Sequence, residues 1–427
     1  MSDNQALLAR RERLLGRNVS TFYEEPVHLV RGEGVWLYDV DGRKYLDCYN
    51  NVPHVGHCNP RVVEAICRQA STLNTHTRYL HEGILNYVER LTSTFDQSLD
   101  TAIMTCTGSE ANDVALRMAQ AVTGKTGVIA TDFTYHGNTT AVSQLSTRMP
   151  PIGGYGDHVR HVPAPDGYRP LGGEGGAAFA AAWAARVEEA IESLKRSPHG
   201  FSALIICPFF ANEGFPDLPK DFLQPAIAAV RKAGGLVIAD EVQPGFGRTG
   251  THMWGHQYAG FVSDVVTMGK PMGNGHPVAA VVTSTDTLNA FRKAFRYFNT
   301  FGGNPVSCAA ASAVLDVLRD DKLMENAATT GAYARAELET LARKHDIIGN
   351  VRGSGLFFGA ELVLDPKTKQ PASEIATRVI NEMRRRGVLM GKLGIHQNAT
   401  KIRPPMPFSK DNADLMLSTL DDVLSGL

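Results

Sequence analysis

Between residues 101 and 283 the chain repeats one pattern. A run of four to six mostly apolar residues, too short for a helix, is followed by a longer connecting stretch. Such runs are Thr101 to Cys106, Gly127 to Ala130, Ala203 to Cys207, Leu236 to Ala239, Val265 to Met268 and Val278 to Val282. A strand with no polar face must be covered on both sides. Helical spacing marks part of that cover. Ala111, Ala115, Met118 and Val122 recur within Ser109 to Val122, and Ala177 to Lys195 and Leu223 to Lys232 read as further helices. The expected class is therefore α/β, a mostly parallel sheet with helices on both faces. Beyond about residue 306, helical runs (Ser307 to Leu318, Leu323 to Lys344, Ser373 to Arg386) surround short strands near Gly355 to Leu362 and Lys401 to Arg403. That is an α+β pattern. Val35 to Val40 and Arg43 to Cys48, joined by Asp41-Gly42, predict a hairpin on a tight primed turn. Leu7, Leu8, Leu14 and Leu15 predict a short amphipathic helix that packs on its own protein or on a partner subunit. The Gly- and Ala-rich stretch from Leu171 to Ala185 ends in the start of a surface helix.

Composition narrows the function. With 427 residues, 43% hydrophobic and 20% charged, the chain can bury two or three cores and is not disordered. Lys plus Arg (43) balances Asp plus Glu (44), so neither nucleic acid nor an anionic membrane is expected as the main partner. The six cysteines form no CxxC pair, which favours free thiols in a reducing cytosol over a metal or disulfide framework. No run approaches 18 apolar residues, and Met1 to Arg17 lacks a secretory apolar region. A cytoplasmic protein with no metal follows as the expectation.

Three segments carry chemistry. Cys106-Thr107-Gly108-Ser109-Glu110-Ala111-Asn112 lies between a strand and a helix, so Gly108 and Ser109 offer free N–H groups at a helix N-terminus, suited to a phosphate. Leu236 to Glu241 puts two carboxylates at the end of a buried strand. A magnesium-holding nucleotide hydrolase would need a GxxxxGK[ST] loop, and Gly269-Lys270 is followed by Pro271. Lys270, just after an apolar strand and before Gly273-Asn274-Gly275, stands where α/β sheets bind ligands. Asp240 and Lys270 make sense together with pyridoxal phosphate. The carboxylate would keep the pyridine nitrogen protonated, and the lysine would form the Schiff base.

With those residues in view, the sequence resembles the class III (ω-type) aminotransferases among fold-type I pyridoxal-phosphate enzymes, from about Phe22 to the C-terminus. The matching motifs are Thr107 to Asn112, Tyr135-His136-Gly137, Asp240-Glu241-Val242-Gln243 continuing to Gly250, Gly269-Lys270, and Thr300 to Pro305. The resemblance implies a mainly parallel seven-stranded sheet in a large domain (59–305). It implies a smaller α+β domain built from both ends of the chain, an N-terminal segment (1–58) and a C-terminal part (306–427). It also implies roles. Lys270 is the Schiff-base lysine and Asp240 the partner of the pyridine nitrogen. Val242 and Tyr135 cover the two ring faces, with His136 beside them, and Gln243 bonds the phenolic oxygen. Gly108 and Ser109 bind the cofactor phosphate, and Thr300 reaches it from a neighbouring subunit. A homodimer with sites at its interface follows.

A narrower similarity is to the O-phosphoethanolamine phospho-lyase branch. It rests on Leu73 to His81, Tyr297 to Pro305 and Lys401-Ile402-Arg403-Pro404-Pro405-Met406. Many relatives have an arginine where Lys401 stands; a lysine can serve a phosphate as a point charge. Asn212 lacks the charge that would mask such an arginine, although Glu213 follows directly. The resemblance implies a phosphorylated-amine substrate held by Lys401 and Arg78, with Tyr23, Asn74, Thr75 and His76 as secondary candidates. Arg403 could instead be a structural ion-pair partner. The alternative activity is an ω-amino-acid or amine transaminase, which shares every cofactor residue. A non-catalytic binding protein is disfavoured by the intact Lys270, Asp240 and Gln243.

Overall fold

In a computed structural model, residues 3–17 and 19–427 are described. The apolar runs form one seven-stranded sheet: β1 (Thr101–Thr105), β2 (Gly127–Thr131), β3 (Val159–Val162), β4 (Phe201–Ile206), β5 (Leu236–Asp240), β6 (Val265–Met268) and β7 (Ala279–Thr283). The spatial order is β1-β7-β6-β5-β4-β2-β3. All neighbours are parallel except β7, which runs antiparallel to both β1 and β6. Every residue of β2, β4, β5, β6 and β7 is buried, as a sheet covered on both faces requires. In β7 the alternation is visible. Ala280 and Val282 pack toward helices Pro60–Thr72 and Pro305–Asp320, whereas Ala279 and Val281 pack toward helix Gly108–Thr123. The strand β3 has no uninterrupted apolar run, and it was not visible to the periodicity argument: its middle residues Arg160 and His161 are polar.

Both chain ends meet in the smaller sheets. Leu29–Glu33, Trp36–Asp39 and Lys44–Asp47 form an antiparallel meander, and Val388–Leu389 adds a parallel fourth strand from near the C-terminus. A further sheet joins Ile348–Ser354, Phe357–Asp365, Ala399–Lys401 and Gly391–Leu393. The predicted hairpin exists, but its turn is not a two-residue primed one. Gly42 donates to Asp39 O over 3.0 Å, and only Gly42 takes positive φ (81°). The Asp39 carboxylate accepts from the Asp41 and Arg43 N–H groups, which stabilises this longer loop. The stretch after Leu171 becomes helix Gly176–Lys195, with Phe179 and Trp183 buried in the core beneath it. The N-terminal helix Asp3–Leu15 keeps Leu7, Leu14 and Leu15 exposed. Among the described residues no helix is long and apolar enough to cross a membrane.

Lys401 ends the strand Ala399–Lys401, which lies against Phe357–Asp365. There is no room there for a side chain on Gly359: a Cβ would sit 1.9 Å from Thr400 O. Gly359→Ala should lower stability by about 1–3 kcal/mol through overpacking. A denaturant midpoint equal to the parent's would show that the two strands can separate freely.

Candidate active site

The C-terminal ends of the parallel strands meet at one cleft with an open volume of about 510 Å³. It is lined by Gly108 and Ser109 after β1, Cys207 after β4, Asp240 ending β5, and Lys270 after β6. Val242 and Gln243 on one flank and Tyr135, His136 and Gly137 on the other complete it, with Asn212 at the side. This is the strand-end position where open α/β sheets bind ligands.

Asp240 is 4% exposed, and three N–H donors replace its lost water. The Val242 N–H donates to Oδ1 over 3.0 Å. Asn112 Nδ2 (3.0 Å) and His136 Nδ1 (2.6 Å) approach Oδ2. Thr267 donates to Asn112 Oδ1 over 2.6 Å, so the amide cannot turn over. His136 Nε2 lies 3.0 Å from Thr134 Oγ1. Beside an ionised carboxylate, Nδ1 is a donating nitrogen of His136. Asn112 and Thr267 were not singled out from the sequence. The signal was there: Asn112 is four residues after Gly108 and so shares its helix face.

The anion end is built from a helix start. Thr107 and Glu110 form a capping box at helix Gly108–Thr123. Their bonds serve the Glu110 and Thr107 N–H groups, leaving Gly108 and Ser109 facing the cleft. Backbone must come close here. A Cβ on Gly108 would lie 2.9 Å from Val242 Cγ2, and one on Gly137 would lie 2.4 Å from Ser109 Oγ. Glu241, beside Asp240, turns away and accepts from the N–H groups of Gly255 and His256, which is a structural role.

Lys270 opens to the cleft, yet enough protein surrounds it that desolvation lowers its pKa. The charge of Arg403 lowers it further, against Asp240, which raises it. Two more cations sit at the same place. Lys401 is 5% exposed and Arg403 4%. Among the described residues neither has a carboxylate in salt-bridge contact. Lys401 Nζ donates to Gln243 Oε1 over 3.2 Å, and Arg403 donates to the same oxygen and to Tyr49 O (3.3 Å). Desolvation, then Arg403, Lys270 and Arg148, push the Lys401 pKa far down. Burial pushes that of Arg403 down to about 10. The ion-pair alternative for Arg403 is therefore not what the structure shows.

Asn212, not Glu213, lines the cleft. Glu213 accepts from Thr131 Oγ1 (2.6 Å) and the Asn212 N–H (3.0 Å), and burial raises its pKa. Other expected contacts lie elsewhere. Tyr23 donates its hydroxyl to Met390 O over 3.0 Å and lines a separate cavity beneath the N-terminal helix, because its segment packs against the small sheet. Asn74, Thr75, His76 and Arg78 lie on the segment before helix Glu82–Thr92, outside the cleft lining. Arg78 stacks over Phe298 at 3.9 Å, so this segment packs on the loop that carries Thr300. Thr300 is itself exposed and outside this chain's own cleft.

Pyridoxal phosphate fits the donor set. Free N–H groups at a helix start suit its phosphate, the cleft-lining Asp240 its pyridine nitrogen, and the Lys270 amine its aldehyde.

Comparison with known proteins agrees. The family model "Aminotransferase class-III" matches residues 19–424. A Drosophila melanogaster protein named alanine–glyoxylate aminotransferase 2-like is 39% identical, covering 98% of this chain and 86% of its own. Ethanolamine-phosphate phospho-lyase homolog 1 of Caenorhabditis elegans is 37% identical over 99% of this chain and 93% of its own. A solved phospholyase from Arthrobacter, in complex with phosphoethanolamine, superposes with a TM-score of 0.95 at 45% identity, covering 99% of this chain and 100% of that one.

Two outcomes follow from this geometry. Gly108→Ala should leave the melting temperature near the parent's, since alanine suits a helix. By pushing Val242 into the cleft it should weaken pyridoxal-phosphate binding at least ~10-fold, read by titrating the apoprotein. Unchanged affinity would remove Gly108 from the cradle. For Lys401 the sign is fixed by its depressed pKa. Between that lowered value and the unfolded lysine's ~10.4, the unfolded chain binds more protons, so apoprotein stability rises with pH. Lys401→Met should flatten this rise and be the more stable protein at pH 7. Equal slopes in urea melts across pH 7–10 would show that burial does not disfavour the charged form of Lys401.

Proposed function

The chain belongs to the class-III aminotransferase family, and we propose that within it this is a phospho-lyase acting on O-phosphoethanolamine or a related phosphorylated amine. The reaction consumes water and yields phosphate, ammonia and, from phosphoethanolamine, acetaldehyde. The observation that carries this reading is the pair of buried basic side chains, Lys401 and Arg403, with no carboxylate in salt-bridge contact among the described residues, beside a cleft lined by the neutral Asn212. A cleft that alternates between two amino-acid substrates profits from a carboxylate that masks its cation. One that takes a phosphorylated amine profits from leaving the cations free for the phosphate. The relatives named as phospho-lyases support the same reading.

The cofactor is pyridoxal 5′-phosphate, which when bound supplies an electron sink for the pair left on a deprotonated amine-bearing carbon. Asp240, fixed by Asn112 and His136, holds negative charge against the pyridine nitrogen and keeps it protonated. Lys270 has a lowered pKa, so more of it is neutral near pH 7 and able to take the proton from the amine-bearing carbon. Val242 and Tyr135 confine the ring from opposite walls. Lys401 stabilises the negative charge that develops as phosphate leaves the neighbouring carbon, so no strong acid is needed there. Arg78, Asn74, Thr75, His76 and Thr300 act from the partner in a homodimer. They sit on a face where Tyr79, Leu80 and Phe301 are exposed by 66%, 100% and 71%, which a second copy would cover. The small-molecule substrate needs neither nucleic acid nor membrane, and the six unpaired cysteines suit a cytoplasmic enzyme. The second reading, an amine or ω-amino-acid:keto-acid aminotransferase, is favoured by the shared Lys270 and Asp240 arrangement and by the aminotransferase relative.

Incubation with phosphoethanolamine should release phosphate, acetaldehyde and ammonia in equal amounts with no keto acid present. Keto-acid-dependent turnover without phosphate release, from phosphoethanolamine or phosphohydroxylysine, would make it an aminotransferase. Lys270→Ala should abolish the visible absorbance of the holoenzyme and slow turnover by roughly 10²–10⁴-fold or more. An unchanged band would contradict the assignment of Lys270.

A further inference from the structure

Gln243 is 7% exposed, lines the cleft, and meets two cations on one atom. Lys401 Nζ and Arg403 both donate to its Oε1. An amide has one accepting end and one donating end. Only the oxygen can face two cationic donors, since the NH2 group in that place would be set against buried positive charge. The NH2 group is thereby turned the other way, and among the described residues it has no protein acceptor.

We propose that Lys401 and Arg403 are positioning residues that act through Gln243: they pin its carbonyl and aim its NH2 group at the phenolic oxygen of the cofactor. This rests on the cofactor placement given above and holds whether the bound amine is eliminated or transaminated. The two cations are themselves locked. Arg403 donates to Tyr49 O and lies over the Tyr49 and Phe357 rings at 5.3 and 5.6 Å. Lys401 lies 5.8 Å from the centre of the same Phe357 ring. The charge of Arg403 also polarises the amide, strengthening its outward donor. The other charged groups in reach are Lys270, Asp240 and Cys207 at the cleft, Arg148 near Lys401, and Asp47 behind Arg403. None of their carboxylates is bonded to Gln243.

The consequence is spectroscopic. A donor on the phenolic oxygen draws electron density away from the neighbouring Schiff-base nitrogen, which then holds its proton less tightly. The pH midpoint of the holoenzyme's visible absorbance change is therefore lowered by Gln243. Gln243→Glu keeps the shape, accepts from both cations and has no NH2 group, so its midpoint should rise by about one unit or more. Lys401→Met and Arg403→Met should raise the midpoint in the same direction by a smaller amount, and Lys401→Arg should return it to within ~0.3 units of the parent. Bound cofactor and melting temperature are recorded for each variant. If Arg403→Met does not fold, Lys401→Met and Lys401→Arg decide alone. An unmoved midpoint in Gln243→Glu, or in a cofactor-loaded Lys401→Met, overturns the proposal. Phosphate release from the same samples keeps the two readings apart. Release lost with the midpoint unmoved would leave the phospho-lyase standing and remove the relay. A parent enzyme that releases no phosphate, with variants whose midpoints shift, would do the reverse.

Discussion

A carboxylate taken out of water must find its hydrogen bonds in the protein, and the site is arranged around that demand at Asp240. Its three donors come from three places: the Val242 backbone, the helix after β1, and the His136 loop after β2. Each is fixed in turn, Asn112 by Thr267 and His136 by Thr134. Thus the carboxylate assigned above to the pyridine nitrogen also registers the helix start assigned to the phosphate. Moving one would move the other. The approach of Gly108 to Val242 belongs to the same constraint, because it brings the phosphate cradle and the ring wall into contact.

The opposite flank obeys a different rule. Arg248, fully buried, donates to the carbonyls of Leu356 and Pro404 and to His54, with no carboxylate in salt-bridge contact among the described residues, and burial lowers its pKa. Pro404 follows Arg403, so this guanidinium anchors the segment that brings Lys401 and Arg403 to Gln243. Hydrogen bonds to neutral acceptors satisfy the geometry of these cations without cancelling their charge. A region that keeps buried positive charge at the expense of stability is suited to an anion that arrives and leaves. The near-zero net charge of the chain conceals this local excess.

Much of this was legible in the sequence, for identifiable reasons. Asp240 and Lys270 end apolar runs with no polar face, so the sheet placed them at strand ends whatever the rest of the chain did. Helical spacing over Ser109 to Val122 directly after an apolar run puts a helix start at Gly108 and Ser109. Lys401 was recognised as a phosphate candidate, but its ammonium stands behind Gln243, not in the cleft lining. That required the pairing of Ala399–Lys401 with Phe357–Asp365, a contact between distant segments that local pattern cannot supply. The surroundings of Tyr23 were hidden for a similar reason: its hydroxyl partner, Met390 O, is 367 residues away. Arg78 and Thr300 are a different case. They sit together on an exposed face, outside the lining of this chain's own cleft.

The choice between elimination and transamination thus cannot reside in the Asp240–Lys270 flank, which both reactions use in the same way. In the proposed reading it resides where the tail of the substrate ends, with Lys401, Arg403 and the neutral Asn212. These groups are not remote from the cofactor. Gln243 touches the cations with one end of its amide and faces the cleft with the other. Lys401 and Arg403 each carry N–H donors beyond those bonded to Gln243 Oε1, so in the proposed reading a phosphate engages them while Gln243 stays pinned. Substrate recognition and cofactor electronics would then meet at one side chain, and charge at the tail of the substrate would be set beside the groups that hold the cofactor.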